Sequence, residues 1–99
     1  MESFDPSVRL AAPSRKFEFQ NLQVGNGYVN CAFYMRLAKC GDSLRIVDSN
    51  LIYVEDFRGK EPTWCTYSEV AEAAIKDIES HYPPSYFTEN LPDVFEEIF

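Results

Sequence analysis

The feature that most constrains the fold is a strict alternation of side chains in residues 28–37, directly after a Gly-Asn-Gly turn sequence at 25–27. One set of alternating side chains is apolar and comprises Val29, Cys31, Phe33, Met35 and Leu37. The other set comprises Tyr28, Asn30, Ala32, Tyr34 and Arg36. A period of two residues is typical of a β-strand with one buried face, so we predict that the first set faces the core.

The Gly-Asn-Gly sequence predicts a hairpin between this strand and the segment that precedes the turn. The length of the loop matters, because a register shift of one residue turns a whole strand over. A two-residue loop at 26–27 would pair Phe19 with Tyr34, which belongs to the polar set. A three-residue loop pairs Phe19 with Phe33 instead. We therefore expect the longer loop, with Gly27 in the left-handed conformation as a bulge.

The rest of the sheet permits two interpretations. Residues 44–48 and 51–57 can form two strands separated by a turn at 48–50, or one bent strand can span 44–57. In either case the antiparallel sheet covers residues 16–57. Residues 1–15 contain prolines and serines without a clear period, and this predicts an irregular arm.

A helix is predicted over residues 66–80. Thr66 and Glu69 have the spacing of a capping box, in which each side chain accepts a hydrogen bond from the backbone of the other residue. The buried stripe of this helix is expected to contain Val70, Ala74 and Ile78. The exposed face is expected to contain Glu69, Glu72, Lys76 and Glu79.

A second, shorter helix is predicted over residues 90–99. Its apolar face combines Leu91, Val94, Phe95 and Ile98, and its acidic face combines Asp93, Glu96 and Glu97. A helix this short needs a surface to dock on. Docking on its own sheet is favoured because a small core gains apolar area from it, and the alternative is a groove on a partner protein.

Together these elements predict a single α+β domain over residues 1–99. Its architecture is an antiparallel meander of three or four strands followed by two C-terminal helices. No apolar run approaches the roughly 18 residues that a membrane span requires. An odd number of cysteines without a Cys-x-x-Cys pair is typical of a reducing compartment, so we expect a cytoplasmic location.

Charge is unevenly distributed along the chain. Residues 1–60 contain eight basic and seven acidic residues, whereas residues 61–99 contain one basic and nine acidic residues. The net charge of −7 therefore arises in the C-terminal part. Such a field repels nucleic acid and attracts basic protein surfaces over about 8–10 Å at physiological salt.

The sequence offers little material for catalysis, and we expect neither an enzyme nor a bound metal or cofactor. The only histidine, His81, and Cys65 lie at opposite ends of the predicted helix, about 20 Å apart at 1.5 Å per residue. Cys31 belongs to the apolar strand face and Cys40 to a turn. The carboxylates match no EF-hand spacing, and the glycine-rich turn joins two strands rather than a strand and a helix.

The charge pattern favours a non-enzymatic inhibitor that occupies a basic, nucleic-acid-binding surface of a partner protein. The expected partner-binding residues are Glu69, Glu72, Glu79, Glu89, Asp93, Phe95, Glu96, Glu97 and Ile98. In size and charge the chain resembles phage-encoded antagonists of host defence, such as anti-CRISPR proteins, and toxin-immunity proteins. The resemblance implies a viral protein that mimics nucleic acid with carboxylates. We expect a monomer or homodimer that binds neither nucleic acid directly nor a membrane.

Two other functions are open. An adaptor or oligomerising module would use the apolar tail helix and the aromatic face of the sheet. A single-strand nucleic-acid binder would stack bases on an aromatic and basic surface formed by Tyr28, Tyr34, Arg36, Arg45 and Tyr53. Leu22 and Val24 are expected on this same face, and this favours a protein contact over stacked bases.

Overall fold

The computed structural model of the protein describes residues 14–88 and 90–94 as a three-stranded antiparallel sheet and one α-helix. In chain order the elements are β1 (Ser14–Val24), β2 (Gly27–Cys40), β3 (Ser43–Glu55), α1 (Tyr67–His81) and a short 3-10 helix (Pro84–Tyr86). The strands lie in the order β1-β2-β3, so each pairs with its sequence neighbour. The predicted antiparallel meander followed by a helix is therefore confirmed, as an α+β fold.

The turn between β1 and β2 is shorter than predicted. Val24 pairs with Gly27, so the loop contains only Gly25 and Asn26. Gly25 has a φ of 60°, as the first central residue of a type II′ turn requires, whereas Gly27 does not adopt the left-handed conformation. The prediction of a three-residue loop with a bulge at Gly27 was wrong.

A bulge within β1 keeps the apolar residues on one face despite the short turn. The register shifts between Phe19 and Leu22, where Asn21 adopts a φ of 57°. Phe19 consequently pairs with Cys31 rather than with Phe33. The rings of Phe19 and Phe33 still meet edge to face, with centroids 6.4 Å apart, because diagonal neighbours share the same sheet face.

The third part of the sheet is one bent strand, so the interpretation with four strands is wrong. Its register against β2 shifts twice, and the extra residues are Val47 and Ile52. Each bulge bends the strand without ending it. Ser49 and Asn50, placed in a turn by the four-strand interpretation, both pair with β2. The sheet covers residues 14–55 rather than 16–57, so Ser14 and Arg15 belong to β1 and not to an irregular arm.

Helix α1 begins and packs as the sequence predicted. The N-cap residue Thr66 accepts a hydrogen bond from the Glu69 backbone N–H, and the Glu69 side chain accepts one from the Thr66 backbone N–H. This capping box satisfies two amides that the first turn would leave unpaired. The buried residues of α1 are Val70, Ala74 and Ile78.

The predicted helix over 90–99 is not confirmed. Residues 90–93 are not helical, and the backbone N–H of Lys39 donates to the Pro92 carbonyl at 2.9 Å. Lys39 and Asp93 form a parallel bridge beyond the start of β1, and Leu91 is buried in the core. This part of the tail therefore docks on its own sheet. Phe95, Glu96, Glu97 and Ile98 lie outside the described residues, as do Glu89 and residues 1–13.

The core lies between one face of the sheet and α1. It contains the predicted strand residues Val29, Cys31, Phe33, Met35 and Leu37. Phe87 and Leu91, which follow the helix, complete this layer. The aromatic side chains on the opposite sheet face, Tyr28, Tyr34 and Tyr53, are exposed.

Candidate functional site

The structure separates the acidic residues of α1 onto two flanks of the helix. Glu69 and Glu72 are exposed and line a groove between α1 and the β1–β2 turn. Glu79 is half-buried on the flank that faces β3, where it accepts a hydrogen bond from the Ile46 backbone N–H at 2.8 Å. The prediction of one exposed acidic face therefore needs correction, because Glu79 is already engaged within the fold.

The other predicted partner-binding residue that the structure describes lies far from this groove. Asp93 forms a β-bridge with Lys39, close to the last residue of β2. Gly27, which lines the groove, is the first residue of the same strand. Glu69 and Glu72 are thus brought together, whereas Glu79 and Asp93 are elsewhere. The positions of Glu89, Phe95, Glu96, Glu97 and Ile98 remain outside the described part of the chain.

The groove has a volume of about 680 Å³ and an aromatic wall formed by Trp64. The Trp64 side chain is 47% exposed and its six-membered ring lies against the backbone of Gly27. A Cβ atom at position 27 would come within 2.5–2.9 Å of three ring atoms, so the ring needs glycine there. The close approach of the indole, and not a positive φ, explains the second glycine of the turn sequence.

The position of the Glu69 carboxylate in the groove is fixed by the capping box. Its Oε1 atom accepts a hydrogen bond from the Thr66 backbone N–H at 2.8 Å, which restricts the side chain to one orientation.

The pKa of the neighbouring Cys65 thiol is shifted by its surroundings. Burial, and secondarily the negative charge of Glu69, raise the pKa of Cys65. A helix N-terminus can lower the pKa of a thiol, but at Cys65 the shift has the opposite sign.

A tight loop after β3 presents Phe57 to the solvent. Asp56, only 4% exposed, accepts hydrogen bonds from the backbone N–H groups of Arg58 and Lys60 and from the Arg58 guanidinium. These contacts, led by the Arg58 side chain, lower the pKa of Asp56 to about 2. Phe57 is 91% exposed at the edge of a smaller pocket that includes Tyr28. The sequence placed Phe57 at the end of a strand and the break in the sheet at Arg58, whereas the structure ends β3 at Glu55 and places Phe57 in the loop.

The exposed face of the sheet is less apolar than predicted. Tyr28, Tyr34 and Tyr53 are exposed on it, but Leu22 and Val24 are buried in the core on the opposite face. The bulge at Asn21 is the physical reason, because it turns the end of β1 over relative to our predicted register.

Charges on this sheet face are mixed. Arg36 lies opposite Asp48 in the β2–β3 register, and Lys16 forms an ion pair with Glu18 at 3.3 Å. Arg45 lies opposite Ala38 on the same face. The face therefore combines aromatic rings with charges of both signs, a composition that protein interfaces share.

The residues considered for catalysis do not meet. Cys65 precedes α1, and His81 ends it with its Nδ1 atom 2.8 Å from the Asp77 carbonyl oxygen. Burial raises the pKa of Cys31 to about 11, as expected for a core thiol. Among residues 14–88 and 90–94, no three histidine, cysteine or acidic side chains are close enough to hold a metal ion.

Neither helical segment in the described ranges has the length and apolar character needed to cross a membrane. No protein-family model, no curated protein and no solved structure matches this chain.

Proposed function

We propose that the protein is a small non-enzymatic binding protein that inhibits a partner by occupying its basic, nucleic-acid-binding surface. The observation that carries the proposal is the concentration of nine acidic residues against one basic residue in 61–99, together with the exposure of Glu69 and Glu72 on one flank of α1. Acidic inhibitors of the phage anti-CRISPR type fit this description in size and charge.

The physical basis is electrostatic. Clustered carboxylates steer a basic partner toward the protein and raise the association rate, and both effects weaken as salt is added. Specificity then requires shape in addition to charge, which a groove beside the carboxylates supplies. The free state of Cys31, Cys40 and Cys65 suits a reducing compartment such as the cytoplasm. We propose that the protein acts there as a monomer or homodimer.

The test is affinity capture of the tagged protein from a nuclease-treated lysate at about 50 mM and about 500 mM salt. The proposal predicts a nucleic-acid-handling protein that is retained at low salt and reduced at high salt. Neutralising the groove with Glu69→Gln and Glu72→Gln should release this partner. Glutamine preserves the capping box, so the variant removes charge without removing the helix cap.

The matched control is the pair Asp42→Asn and Asp48→Asn, which removes the same charge from exposed positions outside the groove. Asparagine keeps a side-chain oxygen for the hydrogen bond that Asp48 accepts from the Ser49 backbone N–H. The proposal is wrong if both double variants retain the partner fully, or if capture is indifferent to salt.

A second candidate function is an adaptor or oligomerising module that uses the exposed sheet face. The exposure of Tyr28, Tyr34 and Tyr53 favours it, because aromatic side chains dominate interface energies. In this case Tyr34→Ser with Tyr53→Ser should abolish binding, salt should have little effect, and light scattering should reveal any self-association. Binding of fluorescent oligonucleotides at low salt, lost in the same variant, would instead indicate single-strand recognition.

A further inference from the structure

The groove between α1 and the β1–β2 turn has the composition of a recognition site for one cationic side chain. We propose that it binds an arginine side chain of the partner protein. The guanidinium group of this arginine stacks on Trp64 and donates hydrogen bonds to the carboxylates of Glu69 and Glu72. This inference rests on the proposed function and identifies where the basic surface would be contacted.

The stacking surface is the indole of Trp64. About half of the side chain is exposed, and its ring is seated on the Gly27 backbone at one wall of the groove. Tryptophan binds cations on its face more strongly than other aromatic side chains. An exposed tryptophan held in one place therefore offers a prepared surface to a flat cation.

The bonding groups are the two carboxylates on the α1 flank. Glu69 uses Oε1 for the capping box, and in the described part of the chain no hydrogen-bond donor engages its Oε2. Glu72 makes no hydrogen bond or ion pair with another described residue. Lys76 also lines the groove and leaves it with one net negative charge. The Glu69 charge offsets the positive end of the helix dipole, which would otherwise oppose a cation.

Arginine fits this arrangement better than lysine. A guanidinium group is planar, stacks on an indole and still presents donors at its edge that match a carboxylate. An ammonium group is strongly hydrated and has no plane to stack, so it gains less from Trp64. The groove should therefore distinguish two peptides of equal charge.

The chain contains one tryptophan, so its fluorescence reports on this groove alone. We would titrate the full-length protein with a short arginine-rich peptide and with a lysine-rich peptide of equal length, and measure fluorescence together with the anisotropy of labelled peptide. The arginine peptide should change Trp64 emission and bind several-fold more tightly than the lysine peptide. Glu69→Gln with Glu72→Gln should weaken its binding roughly tenfold.

Three variants separate the groove from general acidity. Asp42→Asn with Asp48→Asn should weaken the arginine peptide less than twofold, since the removed charges lie outside the groove. Gly27→Ala should shift Trp64 emission and weaken binding, because the added Cβ displaces the ring. Gly25→Ala strains a residue at positive φ but meets no atom within 4 Å, so it should leave the emission unchanged.

Equal affinity for the two peptides overturns the inference, as does binding without a change in Trp64 emission. Absence of peptide binding at low salt also overturns it. The proposed function fails separately, when the partner captured from the lysate is indifferent to salt and to the Glu69→Gln and Glu72→Gln changes.

Discussion

Asp56 illustrates how one buried carboxylate fixes a loop. Its carboxylate oxygens accept hydrogen bonds from the backbone N–H groups of Arg58 and Lys60 and from the Arg58 guanidinium. The backbone N–H of Asp56 in turn donates a hydrogen bond to the Lys60 carbonyl at 2.7 Å. Hydrogen bonds to an ionised carboxylate are stronger than neutral ones and favour the charged form. The loop is consequently ordered enough to hold Phe57 almost fully in the solvent.

This arrangement predicts a pH dependence of stability. The pKa of Asp56 is about 2 in the folded protein, below the value of about 3.9 expected in the unfolded chain. The contribution of the carboxylate is therefore complete above about pH 4 and is lost as the pH falls toward 2. Asp56→Asn should lower the melting temperature at pH 7, and the difference from the unchanged protein should shrink as the pH is lowered through this range.

Thermal unfolding followed by circular dichroism at about pH 7, 4 and 2.5 would measure this difference. These values lie above, close to and below the pKa of about 3.9 that an aspartate has in the unfolded chain. Asp42→Asn, at an exposed turn position, is the control. A difference that stays constant over the whole range would contradict the role assigned to the Asp56 carboxylate.

At the scale of elements, α1 stabilises the edge of the sheet as well as its face. β3 is an edge strand, and edge strands expose backbone groups that have no partner within the sheet. Glu79 satisfies one of them by accepting the Ile46 N–H next to the bulge at Val47. A glutamate on the helix thus replaces the missing neighbouring strand at one position.

Glu79→Ala should therefore lower the free energy of unfolding by about 1–2 kcal/mol, because the Ile46 amide loses its partner. Glu79→Gln retains an oxygen acceptor and should cost less. Urea unfolding of both variants, beside Glu72→Ala at an exposed position without a described partner, measures the effect. Equal costs for Glu79→Ala and Glu72→Ala would show that the hydrogen bond to β3 contributes nothing.

At the scale of the whole molecule, the tail completes the core. Leu91 packs in the same cluster as the β2 residues and α1, and the Pro92 carbonyl accepts a hydrogen bond from β2 at Lys39. The first residue of β1, Ser14, pairs with Arg36 of β2. The tail pairs with β2 three residues further along, where Asp93 lies opposite Lys39. A small domain buries a smaller fraction of its surface than a large one, so the burial of Leu91 should contribute to its stability.

Leu91→Ala should accordingly cost about 2–4 kcal/mol of unfolding free energy, whereas Leu91→Met should cost less than about 1.5 kcal/mol. Chemical denaturation with a common slope for the three proteins provides the comparison. A cost within about 0.5 kcal/mol for Leu91→Ala is typical of a surface position and would mean that the tail is not part of the core.

The sequence by itself determined the features that depend on local chemistry. The alternation in residues 28–37 identified the core face of β2, and the spacing of Thr66 and Glu69 identified the start of α1. Both follow from periods and hydrogen bonds that span only a few residues. The exposure of Glu69 and Glu72 could be predicted for the same reason, since both lie opposite the buried helical stripe.

Only the tertiary structure decided the features that depend on which distant groups meet. The bulge at Asn21 restored the apolar register after a short turn, because burying one continuous face outweighs the cost of a left-handed asparagine. Glu79 became a partner of β3, and the tail docked through Leu91 instead of forming a helix from residue 90. Trp64 met Gly27 across the turn and formed the groove. These outcomes required competing long-range contacts that no local pattern encodes.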